Sequence, residues 1–323
     1  MHTTDPRLDR GIAVVSIDTE LAWGEAHRPR SLPPLRSYDR EREVVDRVLA
    51  LFATYGIPGT WAVVGHLFLD RCAPVDGRPH PEVVRPAYAW MDEDWLAVDP
   101  GTTLTAAPDR YGRDLVERIL RCPVPQEVGC HSWSHLLVGE DGCSAEAFAT
   151  DLAACAAAAA TLGVELRSFV FPRNSIGHLD VLAAAGYLAY RGRPPTPFRG
   201  ASGAGRTALR AVDRLRPLPG SAVRPRLDAT GMWDVPQTHL FAPATHLRRL
   251  PVPLWVRPVL ARARQAARER SLFHLWFHPY NLTDDPPRAL GALERVCAEL
   301  ARLRDAGRLD LRTMAQAGVG AAR

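Results

Sequence analysis

The sequence contains no lysine: all 40 basic residues among its 323 are arginines. This excludes Schiff-base or general-base chemistry by a lysine, and any phosphate-binding loop that requires one. The net charge of +4 is a mild surplus, and no basic stripe is interleaved with aromatic residues. Because single-strand binders combine a basic groove with stacking aromatic side chains, we expect no nucleic-acid partner.

Long apolar runs are also missing. No stretch of about 18 consecutive apolar residues occurs, so we expect no membrane-spanning helix. Residues 1–7 are polar and contain no apolar signal region. The six cysteines are scattered without Cys-x-x-Cys spacing. We therefore expect reduced cysteines and a cytoplasmic protein.

Short apolar segments alternate with helical patterns along the chain. Residues 11–17 are typical of a strand buried on both faces, and a helical pattern and a second strand follow. Seven or eight such strands, with no Gly-x-Gly-x-x-Gly after the first, favour a (β/α) barrel over a dinucleotide-binding sheet. We predict one α/β domain over 1–323, with an insertion at about 66–126 and a loop-rich segment at about 193–230.

A His-x-x-x-His pair, His131 and His135, directly follows the predicted third strand. The two imidazoles would meet on one side if the segment coils into a helical turn. Neutral imidazoles suit zinc and similar divalent metals, whereas two unrelated loop histidines would also give this spacing. A metal site needs a third ligand from elsewhere, and Asp18 and Glu20 follow the first strand.

Polar residues recur at the carboxyl ends of the predicted strands. These ends converge on the catalytic face of a (β/α) barrel, which favours a functional site over scattered surface residues. One carboxylate and two histidines can hold a metal, which activates water. A second carboxylate can accept the proton of that water, and another histidine can protonate a leaving amine. The residues in question are Asp18, Glu20, His131, His135, Arg173, Asn174, Arg191 and His278.

With these motifs the chain resembles the polysaccharide deacetylases of carbohydrate esterase family four, in a divergent branch whose first motif is Asp-x-Glu. The resemblance implies a distorted (β/α)7 barrel and a divalent metal, zinc by default, although cobalt, nickel or iron fit the same donors. It implies Asp18 as general base, His278 as general acid, and as metal ligands Glu20, His131 and His135.

Other matches to the family are weaker. Arg173 follows the proline of the third motif instead of preceding it, and is predicted to be catalytic. Asp234, in the fourth motif, either orients Arg173 or His278 or is a plain strand-end aspartate. His274 is assigned to packing, and His66 could touch substrate. The predicted substrate-binding residues are Trp23, Trp95, Tyr111, Asn174, Arg191 and Asp234.

The resemblance implies removal of an N-acetyl group from an amino sugar or glycoconjugate, as a small-molecule or lipid-linked substrate. One alternative is a deformylase or another hydrolase of linear or cyclic amides. A second is a barrel that binds a glycan without turning it over. The arginine-rich helix predicted at 256–270 is interpreted as a solvated face, although peripheral contact with an anionic membrane is the alternative.

Overall fold

Strand β1 (Gly11–Thr19) is buried along its whole length at the centre of a curled, mostly parallel sheet. The structure is a computed structural model and describes residues 8–28, 38–193, 222–242 and 251–318. The other strands in these residues are β2 (Gly59–Val63), β3 (Glu127–Cys130), β4 (Ser168–Phe169), β5 (Ala189–Tyr190), β6 (Arg226–Leu227), β7 (Trp233–Asp234), β8 (His239–Leu240), β9 (Leu272–Phe277) and β10 (Leu309–Leu311).

The strand order is β6-β7-β5-β4-β3-β2-β1-β9-β8, with β10 paired to the start of β1. Only the β6–β7 pair among the described strands is antiparallel. Parallel strands need crossover connections, which helices supply on the outside of the sheet. These helices are α1 (Glu41–Tyr55), α2 (Arg113–Leu120), α3 (Ala145–Ala160), α4 (Leu179–Ala184), α5 (Val252–Glu269), α6 (Pro286–Asp305) and α7 (Met314–Ala317).

One extended segment, Trp233 to Leu240, joins the two sides of the sheet. Its first part, β7, pairs with β5, and its last part, β8, pairs with β9. Between them, the Gln237 N–H donates to the Gly192 carbonyl at 3.2 Å and the Thr238 N–H donates to the His274 carbonyl at 3.0 Å. The segment therefore completes the curl, and the predicted distorted (β/α) barrel class is confirmed.

Helix ends follow from local sequence. Helix α1 ends at Gly56, whose φ of 64° is left-handed, a conformation that glycine adopts without steric cost. Helix α3 begins after Ser144, whose hydroxyl accepts the Ala147 N–H at 3.0 Å. Glycine is required at position 65 because the Cβ of any other residue would lie 2.6 Å from Cys155 Sγ. The backbone after β2 can consequently approach the loop that follows β3.

The predicted insertion contains helix α2 and two short 3-10 turns, Gly65–Phe68 and Trp95–Val98. The predicted loop-rich segment 193–230 lies largely outside the described residues. Helix α5 contains the arginine-rich sequence, and Arg264 pairs with Glu299 of α6 at 2.7 Å. In the part of the chain that the structure describes, no helix combines the length and apolarity needed to cross a bilayer.

Candidate active site

Five of the predicted site residues meet where parallel strands end at one side of the sheet. Asp18 is in β1 and Glu20 directly follows it. His131 follows β3, Arg191 follows β5 and His278 follows β9. His135 reaches the same place from the loop after His131. Five of these six side chains are almost entirely buried and that of His278 is 14% exposed, so their charges interact in a region of low dielectric constant.

Glu20 and the histidine pair are arranged as a set of metal donors. Glu20 Oε1 lies 3.5 Å from His131 Nε2 and 3.7 Å from His135 Nε2. His131 Nδ1 lies 2.7 Å from the Val170 carbonyl, so Nδ1 carries the hydrogen and Nε2 keeps its lone pair. A tetrahedral ion with bonds of about 2.0–2.2 Å separates its nitrogen and oxygen ligands by about 3.3–3.6 Å. These residues therefore fit a divalent metal.

The two histidines are brought together by a loop and not by a helical turn. Ser132 and His135 have left-handed φ angles of 64° and 63°, and the ring centroids of the two histidines are 5.2 Å apart. Residues other than glycine rarely adopt this conformation, and such positions concentrate at functional sites. A helical turn does not form here because the backbone of this loop makes hydrogen bonds to other parts of the chain: the Ser132 carbonyl accepts the Gly65 N–H at 2.7 Å.

Asp151 of helix α3 holds this loop and was missed by the sequence reasoning. Its carboxylate accepts the Ser132 hydroxyl at 3.0 Å and the Trp133 N–H at 2.8 Å. Burial raises the pKa of Asp151 to about 7, although these hydrogen bonds act to lower it. The available signal was a carboxylate at a position where α3 is otherwise rich in alanine.

Asp18 is held by Arg191. Two guanidinium nitrogens donate to its two carboxylate oxygens at 2.6 Å each, a bidentate geometry. The guanidinium also lies 4.4 Å from the ring centroid of Trp276. Burial acts to raise the pKa of Asp18, but the charge of Arg191, followed by that of His278, outweighs it and the pKa is lowered. Asp18 is therefore ionised at neutral pH.

The catalytic role predicted for Arg173 stays a prediction, and its side chain is not the one that binds Asp18. It is exposed, in a 3-10 turn (Pro172–Asn174), with a left-handed φ of 51°. In the described residues the arginine in contact with Asp18 is Arg191, which was predicted to bind substrate. The charge of Arg173 acts on His27: burial lowers the pKa of His27 to about 4, and the charges of His135 and Arg173 act in the same direction.

His278 faces both carboxylates. Its Nε2 is 2.8 Å from Glu20 Oε1 and 3.6 Å from Asp18 Oδ2. Burial acts to lower the pKa of His278, but the adjacent charge of Glu20 dominates and raises it. The imidazole stacks on the Tyr280 ring, with ring centroids 4.4 Å apart. The backbone N–H of His278 donates to Asn281 Oδ1 at 2.9 Å. This ring is therefore fixed in position and favours the protonated form.

The other predicted substrate-binding residues are engaged within the protein. The Trp23, Trp95 and Tyr111 side chains are buried, so their ring faces are covered in this structure. Trp95 Nε1 donates to the Ser134 hydroxyl at 3.0 Å. Asn174 Oδ1 accepts a hydrogen bond from Gln237 at 2.7 Å. A substrate contact by these residues stays a prediction.

Asp234 was predicted to orient Arg173 or His278, and the structure gives it another partner. Its Oδ2 lies 3.4 Å from the Arg226 guanidinium across the β6–β7 pair. Burial raises the pKa of Asp234, although the charge of Arg226 opposes this. The strand-end interpretation therefore describes its position better than the orienting one.

His274 lies behind Arg191 and not at the metal donors. Its Nε2 is 2.8 Å from the Ser16 hydroxyl, which also accepts an Arg191 N–H at 3.2 Å. Its Nδ1 is 3.2 Å from the Val235 carbonyl. Burial, reinforced by the charge of Arg191, lowers the pKa of His274 to about 3, so the ring is neutral. This agrees with the packing assignment.

No protein-family model matches the sequence, and no curated protein matches it. The structure does match solved structures. One, from Mycobacterium smegmatis, is assigned as a polysaccharide deacetylase without an established activity; it is 15% identical, with a TM-score of 0.61 over 98% of this chain and 93% of that one. Another with the same kind of assignment, from Pseudomonas aeruginosa PAO1, is 11% identical, with a TM-score of 0.58 over 95% and 91%.

A third match is a 4-alpha-glucanotransferase from Thermococcus litoralis, 12% identical, with a TM-score of 0.50 over 96% of this chain and 40% of that one. At these identities, the likeness shows a shared fold. The resemblance to the polysaccharide deacetylases is thus confirmed at the level of fold over nearly the whole chain, whereas the Asp-x-Glu branch is not tested by it.

Proposed function

We propose that this chain is a divalent-metal-dependent hydrolase that removes an N-acetyl group from an amino sugar or glycoconjugate. One observation carries the proposal: Glu20 Oε1 lies within 3.7 Å of His131 and His135 Nε2 atoms, beside a second carboxylate, Asp18, and the imidazole of His278. These are the parts that hydrolysis of an amide needs: metal donors, a base and an acid.

Glu20, His131 and His135 would hold the metal, with zinc as the default ion for two imidazoles and a carboxylate. When bound, the ion would supply Lewis acidity and lower the pKa of its bound water towards about 7. Hydrogen bonds within the chain orient these donors before a metal binds. The Val170 carbonyl fixes the tautomer of His131, a support that metal-binding histidines commonly have.

Asp18 would act as the general base. A base must be ionised before it can take a proton, and Arg191 keeps the pKa of Asp18 low. The two bonds from Arg191 use two of about four lone-pair sites on the carboxylate, which leaves acceptor capacity for a proton from water. Arg191 is therefore a positioning residue, because it fixes the plane and charge of Asp18.

His278 would act as the general acid. The carboxylate of Glu20 raises its pKa, so a proton is available on Nε2 for the nitrogen of the leaving amine. Nε2 is 3.6 Å from Asp18 Oδ2, and this short distance supports a role for both groups at the same amide bond. The stacked Tyr280 ring restricts rotation of the imidazole.

The substrate class is supported by the motif resemblance and by the fold shared with structures assigned as polysaccharide deacetylases. The acyl group is a separate question. An N-acetyl amino sugar, its N-formyl analogue and a cyclic amide should be compared side by side. We expect the N-acetyl substrate to be preferred, and a preference for either of the others would favour the amidase alternative.

The assignment of roles is tested by two isosteric variants, Asp18→Asn and Glu20→Gln, with metal content and turnover measured on each. Asp18→Asn is expected to keep the metal and lose turnover by about 10²–10⁴-fold, whereas Glu20→Gln is expected to lose both. Asp46→Asn, at a carboxylate that is 52% exposed and pairs with Arg118 on the helix surface, is the matched control. Loss of metal in Asp18→Asn would reject the base assignment, and a metal-bound wild type without turnover on any amide would favour the glycan-binding alternative.

A further inference from the structure

The insertion contains a second convergence of metal-binding side chains, formed by His66, Cys72, His80 and Asp99. One donor atom from each residue lies within 4.8 Å of the other three. We propose that these four residues bind a zinc-type divalent ion as a structural site, separate from the site formed by Glu20 and the histidine pair.

The distances fit four ligands around one ion. Asp99 Oδ2 lies 3.1 Å from Cys72 Sγ, 3.3 Å from His66 Nε2 and 3.0 Å from His80 Nε2. Cys72 Sγ lies 3.7 Å from His66 Nε2. Tetrahedral zinc separates nitrogen and oxygen ligands by about 3.3–3.6 Å, and sulfur from nitrogen by about 3.5 Å. Small movements of these side chains would complete the geometry.

The atoms behind the donors are arranged as metal-binding histidines require. His66 Nδ1 lies 3.1 Å from the Arg110 carbonyl, and His80 Nδ1 lies 3.2 Å from Glu82 Oε1. Each of these contacts places a hydrogen on Nδ1 and leaves Nε2, which faces Asp99 in both cases, as the donor to a metal. Such outer partners orient the ligands of metal sites and increase their basicity.

Asp99 is oriented in the same way. Its Oδ1 accepts the Gly101 N–H at 3.0 Å and lies 3.2 Å from the Tyr111 hydroxyl, so Oδ2 is directed at the other three donors. The side chains of His66 and Asp99 are fully buried. The thiol of Cys72 and both imidazoles already contact this carboxylate, and one bound cation would take a donor atom from each of the four residues.

The chemistry of the donors selects the ion and the role. A thiolate with two imidazoles and a carboxylate suits zinc or cobalt and disfavours magnesium or calcium, which prefer oxygen ligands alone. Four protein ligands make a closed coordination sphere, which is typical of structural zinc and not of catalytic zinc. We therefore expect this ion to stabilise the insertion and to take no part in bond cleavage.

The position of the cluster explains what such an ion would stabilise. His66 and His80 pack edge-on against Trp133, at ring-centroid distances of 5.4 Å and 5.1 Å. The His66 N–H also donates to the Trp133 carbonyl at 3.0 Å. Trp133 lies between the two histidines of the first site. An ion at the cluster would thus link an insertion with little regular structure to the loop that carries the first site.

Cobalt substitution separates the two sites, because only the second one contains sulfur. The metal-free chain, prepared with a thiol-free reductant, is titrated with Co²⁺ and followed by absorption spectroscopy. Wild type is expected to bind about two ions and to show a thiolate-to-cobalt charge-transfer band. Cys72→Ser is expected to lose the band, whereas His135→Ala keeps it and loses the other ion. Cys122→Ser, at a half-buried thiol outside the cluster, is the control and should match wild type.

The wild-type spectrum does not depend on whether a variant folds. Tetrahedral Co²⁺ with thiolate absorption supports the proposal even if Cys72→Ser is insoluble, and so does a melting temperature that falls when a chelator removes the second equivalent of Zn²⁺. A wild type that binds one Co²⁺ without a thiolate band would overturn it, since the four side chains would then form only a hydrogen-bonded cluster. So would a band that Cys72→Ser retains.

Discussion

The contact between Arg191 and Asp18 gives a large and specific expectation for stability. Both side chains are at most 3% exposed, and both oxygens of Asp18 accept N–H groups at 2.6 Å. Removing one partner of a buried pair costs about 3–5 kcal/mol, because the remaining charge has no compensation. We predict that Arg191→Met, which keeps an unbranched apolar stem and removes the guanidinium, lowers the free energy of unfolding by this amount.

A double-mutant cycle with Asp18→Asn isolates the interaction. Each single variant leaves one polar group unmatched, whereas the double variant removes the charge on both sides. We therefore predict that the double variant is less destabilised than the sum of the singles by about 2 kcal/mol. Unfolding in urea, followed by tryptophan fluorescence, measures all four proteins.

Arg226→Met is the control for this cycle. The Arg226 side chain is 65% exposed and lies 3.4 Å from Asp234, so its ion pair is solvated. We expect this change to cost less than about 1 kcal/mol. An Arg191→Met variant as stable as the control, or additive effects of Asp18→Asn and Arg191→Met, would refute the reasoning.

Three further predictions concern packing, pH and capping. Gly65→Ala should lower the free energy of unfolding by about 1–3 kcal/mol, because the new Cβ would lie 2.6 Å from Cys155 Sγ. Gly291→Ala, in helix α6, is the control and should raise the melting temperature, because a Cβ there meets no atom within 4 Å. Equal changes in the stability of the two variants would contradict the prediction. His274→Gln should reduce the slope with which the free energy of unfolding falls below pH 6.5. The pKa of His274 is lowered to about 3 in the folded protein, so as the pH falls below 6.5 only the unfolded chain binds this proton. This costs the folded wild type up to about 1.4 kcal/mol per pH unit. Stability curves at several pH values measure it, and an unchanged slope would count against a buried neutral His274. Ser144→Ala should cost about 1 kcal/mol in urea unfolding through loss of the helix cap, whereas Ser144→Asp should retain most of the stability.

The barrel could be predicted from sequence because its determinants are local. The apolar run at 11–17 is buried on both faces as strand β1, and Gly56 and Ser144 end and begin helices where their conformational preferences indicate. Alternation of strand and helix then fixes a parallel sheet, and strand-end residues such as Asp18 and His278 converge as a consequence.

The contacts that depend on distant parts of the chain could not be predicted. Arg173 and Arg191 both follow strands, and only the tertiary structure shows which guanidinium reaches Asp18. The loop after His131 is not helical, because Asp151 and Gly65 bind its backbone from other elements. These partners are separated from the loop in sequence, and no spacing rule identifies them.

The second cluster escaped notice for a related reason. His66, Cys72, His80 and Asp99 are irregularly spaced in an insertion with little regular structure. Motif reasoning for metal sites uses short spacings on hairpins, turns or helices, and none applies here. The only signal was a thiol, two imidazoles and a carboxylate within one aromatic-rich loop.

The segment that completes the barrel also protects it from other chains. Strands β5 and β9 would each present a row of unpaired backbone groups if Trp233 to Leu240 moved away, since β7 and β8 cover their outer sides. Exposed strand edges are templates for intermolecular pairing. Pro236 lacks a backbone N–H in the middle of this segment, and the flanking residues are held by two short strand pairs and by hydrogen bonds such as that from the Gln237 N–H to the Gly192 carbonyl. Conditions that loosen this segment should therefore promote aggregation before the barrel unfolds globally.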